Sequence, residues 1–169
     1  MAERTLVRDL MTVGVATCAT NANIFEIARL LLEKDLEAIA VLNTEGHAVG
    51  IVSQDELVKA YSRDDCRQLT AEAIMRDDVP QVPPEIPLAV AAQIMRDQKV
   101  RVLFMMHHAD GVTYPAGVLT YRHFLRHLAA QDDSELKDLG IKAVRQAPLE
   151  TFLSKRDAAL RRSRSSDEE

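Results

Sequence analysis

The chain repeats itself once, at a spacing of about 64 residues, and this duplication constrains the fold more than any other feature. The first copy opens on Val7-Arg8-Asp9-Leu10-Met11, passes Val15 and enters a helical pattern at Ile24. An apolar run, Ala38–Leu42, follows, and the copy closes on Gly50-Ile51-Val52-Ser53. The second copy opens on Ala71-Glu72-Ala73-Ile74-Met75, passes Val79, turns helical from Leu88, and runs apolar over Val102–Met106. It closes on Gly117-Val118-Leu119-Thr120. Met11 matches Met75, Val15 matches Val79 and Ala28 matches Ala92. Gly50 matches Gly117 once three extra residues within His107–Pro115 are allowed for.

Local patterns predict the same elements in each copy. Ile24, Ile27, Ala28, Leu31 and Leu32 recur at helical spacing, with Glu26, Arg29, Glu33 and Lys34 on the other face. Asn23 is placed to cap this helix, with Glu26 three residues on. The second copy repeats the pattern with Leu88, Ala91, Ala92 and Met95, and Pro87 suits a first turn. Ala38–Leu42 and Val102–Met106 are short continuous apolar runs, as strands buried on both faces require. Glu45-Gly46 predicts a tight turn into a strand over Val49–Val52. In the second copy a longer polar loop, His107-His108-Ala109-Asp110-Gly111, is expected to make the same crossing. Helices are predicted over Gln54–Ser62 and Tyr121–Ala130. Each half thus reads β-α-β-β-α.

Length and composition bound the class. The 169 residues suit one compact domain or two small intertwined ones. Hydrophobic residues at 47% and charged residues at 28% are ordinary for a globular protein, while aromatics at 4% and the absence of Trp predict an aliphatic, Met-containing core. A net charge of -5 supplies no general field for nucleic acid or an anionic membrane, so neither is expected as a partner. Apolar runs of about five residues fall far short of the roughly 20 needed to span a bilayer. Met1–Thr12 shows no signal-peptide pattern, and Cys18 and Cys66 form no metal-spaced pair; a cytoplasmic protein with reduced thiols is expected.

The order of these elements, twice over, resembles a tandem pair of cystathionine-β-synthase (CBS) domains, a Bateman module, over about residues 5–130. Each copy has the short acidic-x-hydrophobic-Met entry, the amphipathic helix, the buried strand, and the Gly-hydrophobic-hydrophobic-Ser/Thr strand end opening a second helix. The resemblance implies an α/β (α+β) fold in which two β-α-β-β-α repeats pack sheet to sheet with pseudo-two-fold symmetry. The repeats are assigned to residues 1–62 and 71–130, joined by a linker over 63–70. Residues 131–169 form a tail in which Leu136, Leu139 and Val144, then Leu149, Phe152, Leu153 and Leu160, permit helices on either side of Pro148. The polar end, Arg161–Glu169, suits disorder.

The resemblance also implies a binding and regulatory module, with adenine nucleotides or S-adenosylmethionine in clefts between the repeats, no obligatory cofactor and no catalysis. It implies a homodimer, with Ile24–Glu33, Gln54–Ser62 and Tyr121–Ala130 as candidate interfaces, and a client protein elsewhere. The family's reader is a Gly-h-h-Ser/Thr-x-x-Asp segment. Its Ser or Thr stands where unpaired backbone N–H groups and the helix dipole attract phosphate. Its Asp offers two acceptor oxygens to a ribose diol. Here Ser53 is followed by Glu56, and Thr120 by His123. Glu56 keeps the carboxylate, one methylene longer; neutral His123 has one acceptor and one donor and cannot copy a two-acceptor clamp. Ser53-x-x-Glu56 is equally a capping box that needs no ligand. Arg101, just before the second buried strand, is a candidate for a ligand phosphate. Thr17 and Gln81, at matching places near the first strands, are candidates by position.

Other chemistry finds little support. His123 and His127 share a helix face at i, i+4, but no third ligand is spaced to complete a metal site, and Arg122 and Arg126 oppose a cation; the pair is expected to form a polar rim. No Gly-x-Ser-x-Gly, phosphate-loop, His-Glu-x-x-His or dinucleotide pattern occurs. A ligand-free interaction module, working through its dimer surface and tail, stays open as the alternative.

Overall fold

The computed structural model describes residues 5–131; the predicted tail helices and the polar C-terminus lie outside the described residues. The elements run α1 (Val7–Leu10), β1 (Thr12–Val13), β2 (Thr17–Ala19), α2 (Ile24–Glu33), β3 (Ala38–Leu42), β4 (Ala48–Ser53) and α3 (Gln54–Tyr61). A 3₁₀ turn at Cys66–Gln68 lies in the linker. The second copy follows as α4 (Ala71–Ile74), α5 (Leu88–Asp97), β5 (Val102–Ala109), β6 (Val112–Thr120) and α6 (Tyr121–Ala129).

Two three-stranded sheets result, ordered β2-β3-β4 and β1-β6-β5. Continuous apolar sequence places β3 in the middle of the first sheet, parallel to β2 and antiparallel to β4, with Ala38–Val41 buried. The sheets face each other through Val15, Ala38, Ala40 and Ile51 on one side and Val102 and Phe104 on the other. Helices cover the outer faces. Ile27 and Leu31 of α2 pack on Ile39, Val41 and Val52, while Leu88, Ala91 and Met95 of α5 pack on Leu103 and Leu119. Asn23 caps α2 by accepting from the Phe25 N–H at 2.8 Å. Pro87 stands one place earlier than expected, as the cap residue of α5.

The structure adds one feature to the expected fold and corrects two. First, the copies exchange strands. β1, from the first copy, pairs antiparallel with β6 of the second, Thr12 opposite Val118 and Val13 opposite Gly117. In return, Arg76 of the second copy exchanges backbone bonds with Ile51 on β4, at 2.9 and 3.0 Å. Both crossings run past a glycine, and the first requires one. A Cβ on Gly50 would lie 2.6 Å from the Arg76 carbonyl oxygen and 2.8 Å from the Met75 sulfur, and one on Gly117 3.1 Å from the Met11 sulfur. Each entry methionine therefore sits over the glycine of the other copy. Second, the first strand of the second copy shrinks to a single bridge, Gln81 to Phe104.

Third, His107–Gly111 is no loop. β5 and β6 extend as a hairpin, His107 opposite Tyr114 and His108 opposite Thr113, closed by Asp110 (φ 51°) and Gly111 (φ 78°). Two consecutive left-handed residues make the turn whose twist matches paired strands, and Asp-Gly is among the dipeptides that favour it.

Candidate functional site

β4 ends at Ser53, whose extended backbone turns the chain into α3. The Ser53 Oγ accepts from the Asp55 N–H at 3.2 Å, and a Glu56 carboxylate oxygen accepts from the Ser53 N–H at 2.9 Å and from the Ser53 hydroxyl. The capping box is thus closed. Glu56 is nearly buried, its other oxygen 3.9 Å from the Lys59 ammonium, which lies 2.5 Å from Asp55.

A cleft of about 380 Å³ opens at this helix start. The first copy lines it with Ser53, Asp55 and Glu56, and the second with Arg76, Lys99 and Arg101. Both copies therefore form one site, because the strand exchange carries Arg76 across to β4. The Arg76 guanidinium clasps Asp78 with two N–H bonds and holds that carboxyl below its ordinary range. The Arg101 guanidinium lies 5.7 Å from the centre of the Tyr121 ring. Lys99 takes a left-handed backbone (φ 54°) after α5 and makes no ion pair among the described residues.

The matching position in the second copy is occupied differently. His123 is 5% exposed. Its Nδ1 accepts from the Thr120 N–H at 2.9 Å, which leaves the ring proton on Nε2, facing the Thr12 Oγ1 at 2.9 Å. Burial first, then the Arg126 guanidinium, pushes its pKa down to about 4, so the ring is neutral at pH 7. His127 lies 3.5 Å from the Thr5 hydroxyl. The expected polar rim is corrected: the two histidines fasten the incoming N-terminal segment, and His123 is buried because β1 lies over it. Beside it, Arg122 pairs with Asp35, joining α6 to the turn after α2.

The sequence-predicted residues thus separate. Ser53, Glu56 and Arg101 line the cleft, while Thr120 and His123 line neither it nor the second cavity described below. Thr17 pairs with Ala40 and Gln81 with Phe104 at symmetric places, and neither lines either cavity. Arg76, Lys99 and Asp35 were missed. Their signal lies in the repeat: Asp35-Leu36-Glu37 aligns with Lys99-Val100-Arg101, and Asp55-Glu56 with Arg122-His123. At these facing positions the first copy is acidic and the second basic. Among the described residues no group of three metal-ligating side chains occurs, and burial pushes the Cys18 thiol up to about 11, away from a reactive thiolate.

A second, more apolar cavity of about 650 Å³ lies between α5 and α6, lined by Ala92, Met95, Tyr121, Phe124, Leu125 and Leu128, and shares Glu37 and Arg101 with the first. Among the described residues no helix is long and apolar enough to cross a membrane.

Comparison with known proteins agrees with this architecture. The chain is 35% identical over 99 residues to a homoserine O-acetyltransferase of Methanococcoides burtonii, covering 59% of this chain but 20% of that one. It therefore spans about one fifth of the length of that curated relative. An uncharacterised conserved protein from Pyrococcus horikoshii superimposes with a TM-score of 0.66 at 17% identity, over 79% of this chain and 98% of its own. The CBS domain pair of protein MJ0100, solved with 5′-methylthioadenosine and S-adenosyl-L-methionine, gives 0.65 at 22% identity, over 75% and 97%. The family profile of the CBS domain matches twice, at residues 7–63 and 71–130, so the chain belongs to the CBS-domain family and carries a tandem pair.

Proposed function

We propose that this CBS pair is a regulatory module that binds an adenosyl ligand in the first cleft and passes occupancy on through the arrangement of its repeats, without covalent chemistry. One observation carries the reading: the cleft at the N-terminus of α3 is lined by both copies, so a ligand seated there touches Ser53 and Glu56 of one and Arg76, Lys99 and Arg101 of the other. Such a ligand favours whichever arrangement brings the copies close, which is a coupling free energy. Ser53 and the first N–H groups of α3 suit a phosphate or carboxylate, and the Glu56 carboxylate suits a ribose diol once it leaves its cap. The methylthioadenosine and S-adenosylmethionine of the MJ0100 pair support the adenosyl class. In this reading the module works as a homodimer and acts on a client protein. Phe25, Leu32, Val58, Tyr61, Leu125 and Leu128 stand exposed on α2, α3 and α6 and supply the apolar surface for such pairing.

A second reading, a ligand-free interaction module, draws on the closed Ser53–Glu56 cap, which satisfies both side chains without a ligand. A thermal-shift panel of AMP, ADP, ATP, NADH, 5′-methylthioadenosine and S-adenosylmethionine, with and without magnesium, separates the two. A ligand at 100 times its dissociation constant stabilises one site by about 2.7 kcal/mol, a rise of several degrees. The sensor reading expects such a rise with at least one compound and its loss in Ser53→Ala. A flat panel sinks it in favour of the interaction module.

A further inference from the structure

Every large apolar side chain that stands exposed among the described residues lies on α2, α3, α5 or α6. The repeat sets some of them in register: aligning Ser53 with Thr120 places Val58 on Leu125 and Tyr61 on Leu128. Residues three apart are neighbours on a helix, so Val58 and Tyr61 form a short ridge on α3. Leu125 and Leu128 form its counterpart on α6. The surroundings of the two ridges differ in charge and in shape. α2 and α3 carry four carboxylates, Glu26, Glu33, Asp55 and Glu56, against Arg29 and Lys59. α5 and α6 carry Arg96, Arg122 and Arg126 against one carboxylate, Asp97. Neither Glu26 nor Arg96 makes an ion pair among the described residues. Beside the second ridge lies the cavity of about 650 Å³, lined by Ala92, Met95 and Phe124 together with Arg96 and Arg122.

We infer that two chains pair head to tail: α2 and α3 of each lie against α5 and α6 of the other, with Val58 and Tyr61 seated at the groove between α5 and α6. The inference rests on the homodimer reading above and adds to it which faces meet. A two-fold axis allows a surface made of two such halves to pair like on like or unlike on unlike. Like on like sets Arg96, Arg122 and Arg126 against their own images and the carboxylates of α2 and α3 against theirs, an arrangement that charge disfavours. Unlike on unlike brings the acidic face to the basic one and offers an exposed Tyr61 ring to a groove edged with guanidiniums, which suit an aromatic face. Each chain then supplies both halves of the contact, so the pair closes on itself.

Cross-linking of the full chain tests this. Val58→Cys and Leu125→Cys variants, prepared separately and then mixed to exchange chains, are treated with a short bismaleimide. Linked peptides are identified by mass, which sets apart any link through Cys18 or Cys66. The expected product joins the Val58→Cys site of one chain to the Leu125→Cys site of another, and forms in the mixture alone. Links between identical sites in either variant by itself overturn the inference and leave the homodimer in place. A chain that sediments as a dimer but links at neither site does the same. Dimer affinity, read by sedimentation across a salt series, should fall several-fold as salt screens the opposite faces. An affinity that holds or rises with salt overturns the head-to-tail pairing. A chain that sediments as a monomer removes the homodimer reading and this inference with it.

Discussion

His123 stands where the first copy carries Glu56, and the exchange of one side chain turns a cleft residue into a buried fastener. The ring joins Thr120 to Thr12 and is 5% exposed, so protonating it costs solvation and adds a charge beside Arg126 and Arg122. Its folded-state pKa, about 4, lies below the ordinary 6.5, so folding favours the neutral ring. This contribution to stability is fully present above about pH 6.5 and is lost as pH falls through about 4, a loss of about 3 kcal/mol when complete. Urea unfolding between pH 7.5 and 4 should therefore show a decline that His123→Gln flattens. Parallel profiles for the two proteins would refute this role. The sequence showed that His123 departs from the family pattern, and placed it wrongly on a rim, because burial comes from Thr12, 111 residues away.

At the scale of elements, the strand exchange is the feature that holds the repeats together, and the two glycines under the entry methionines carry it. Gly50→Ala drives a methyl against the Arg76 carbonyl, which cannot withdraw without breaking the bond it accepts from the Ile51 N–H. Chemical denaturation should show a loss of about 2–3 kcal/mol. Gly117→Ala presses first on the flexible Met11 side chain, and a loss under about 1 kcal/mol is expected. Equal costs would argue against a rigid crossing at Gly50. Pattern alone matched these glycines and methionines between the copies but not which methionine covers which glycine. Hydrophobic periodicity reports which face is buried and not which strand lies beside it. The β5–β6 hairpin was legible in Asp110-Gly111, a strong turn signal outweighed by the polar histidines before it.

At the scale of the whole molecule, the exposed leucines of α6 ask for a partner. Leu125 and Leu128 are 65% and 80% exposed beside the apolar cavity between α5 and α6. The proposed homodimer predicts that the unaltered chain sediments as a dimer and the double variant Leu125→Glu, Leu128→Glu as a monomer. The variant's unfolding free energy per protomer should change little, since neither side chain belongs to the described core. A variant that remains dimeric places the interface elsewhere.

What the sequence determined by itself was the duplication, the order of elements, the buried middle strands and the helix start at Ser53. These follow from local periodicity and capping chemistry, which act over a few residues. Tertiary structure decided which copy completes which sheet, and that Arg76 and Lys99 join Ser53 and Glu56 while Thr120 and His123 are drawn into packing. Those outcomes depend on contacts between residues tens of positions apart. Such contacts are set by backbone pairing and by the facing of acidic and basic copies, and no local pattern records which charge meets which.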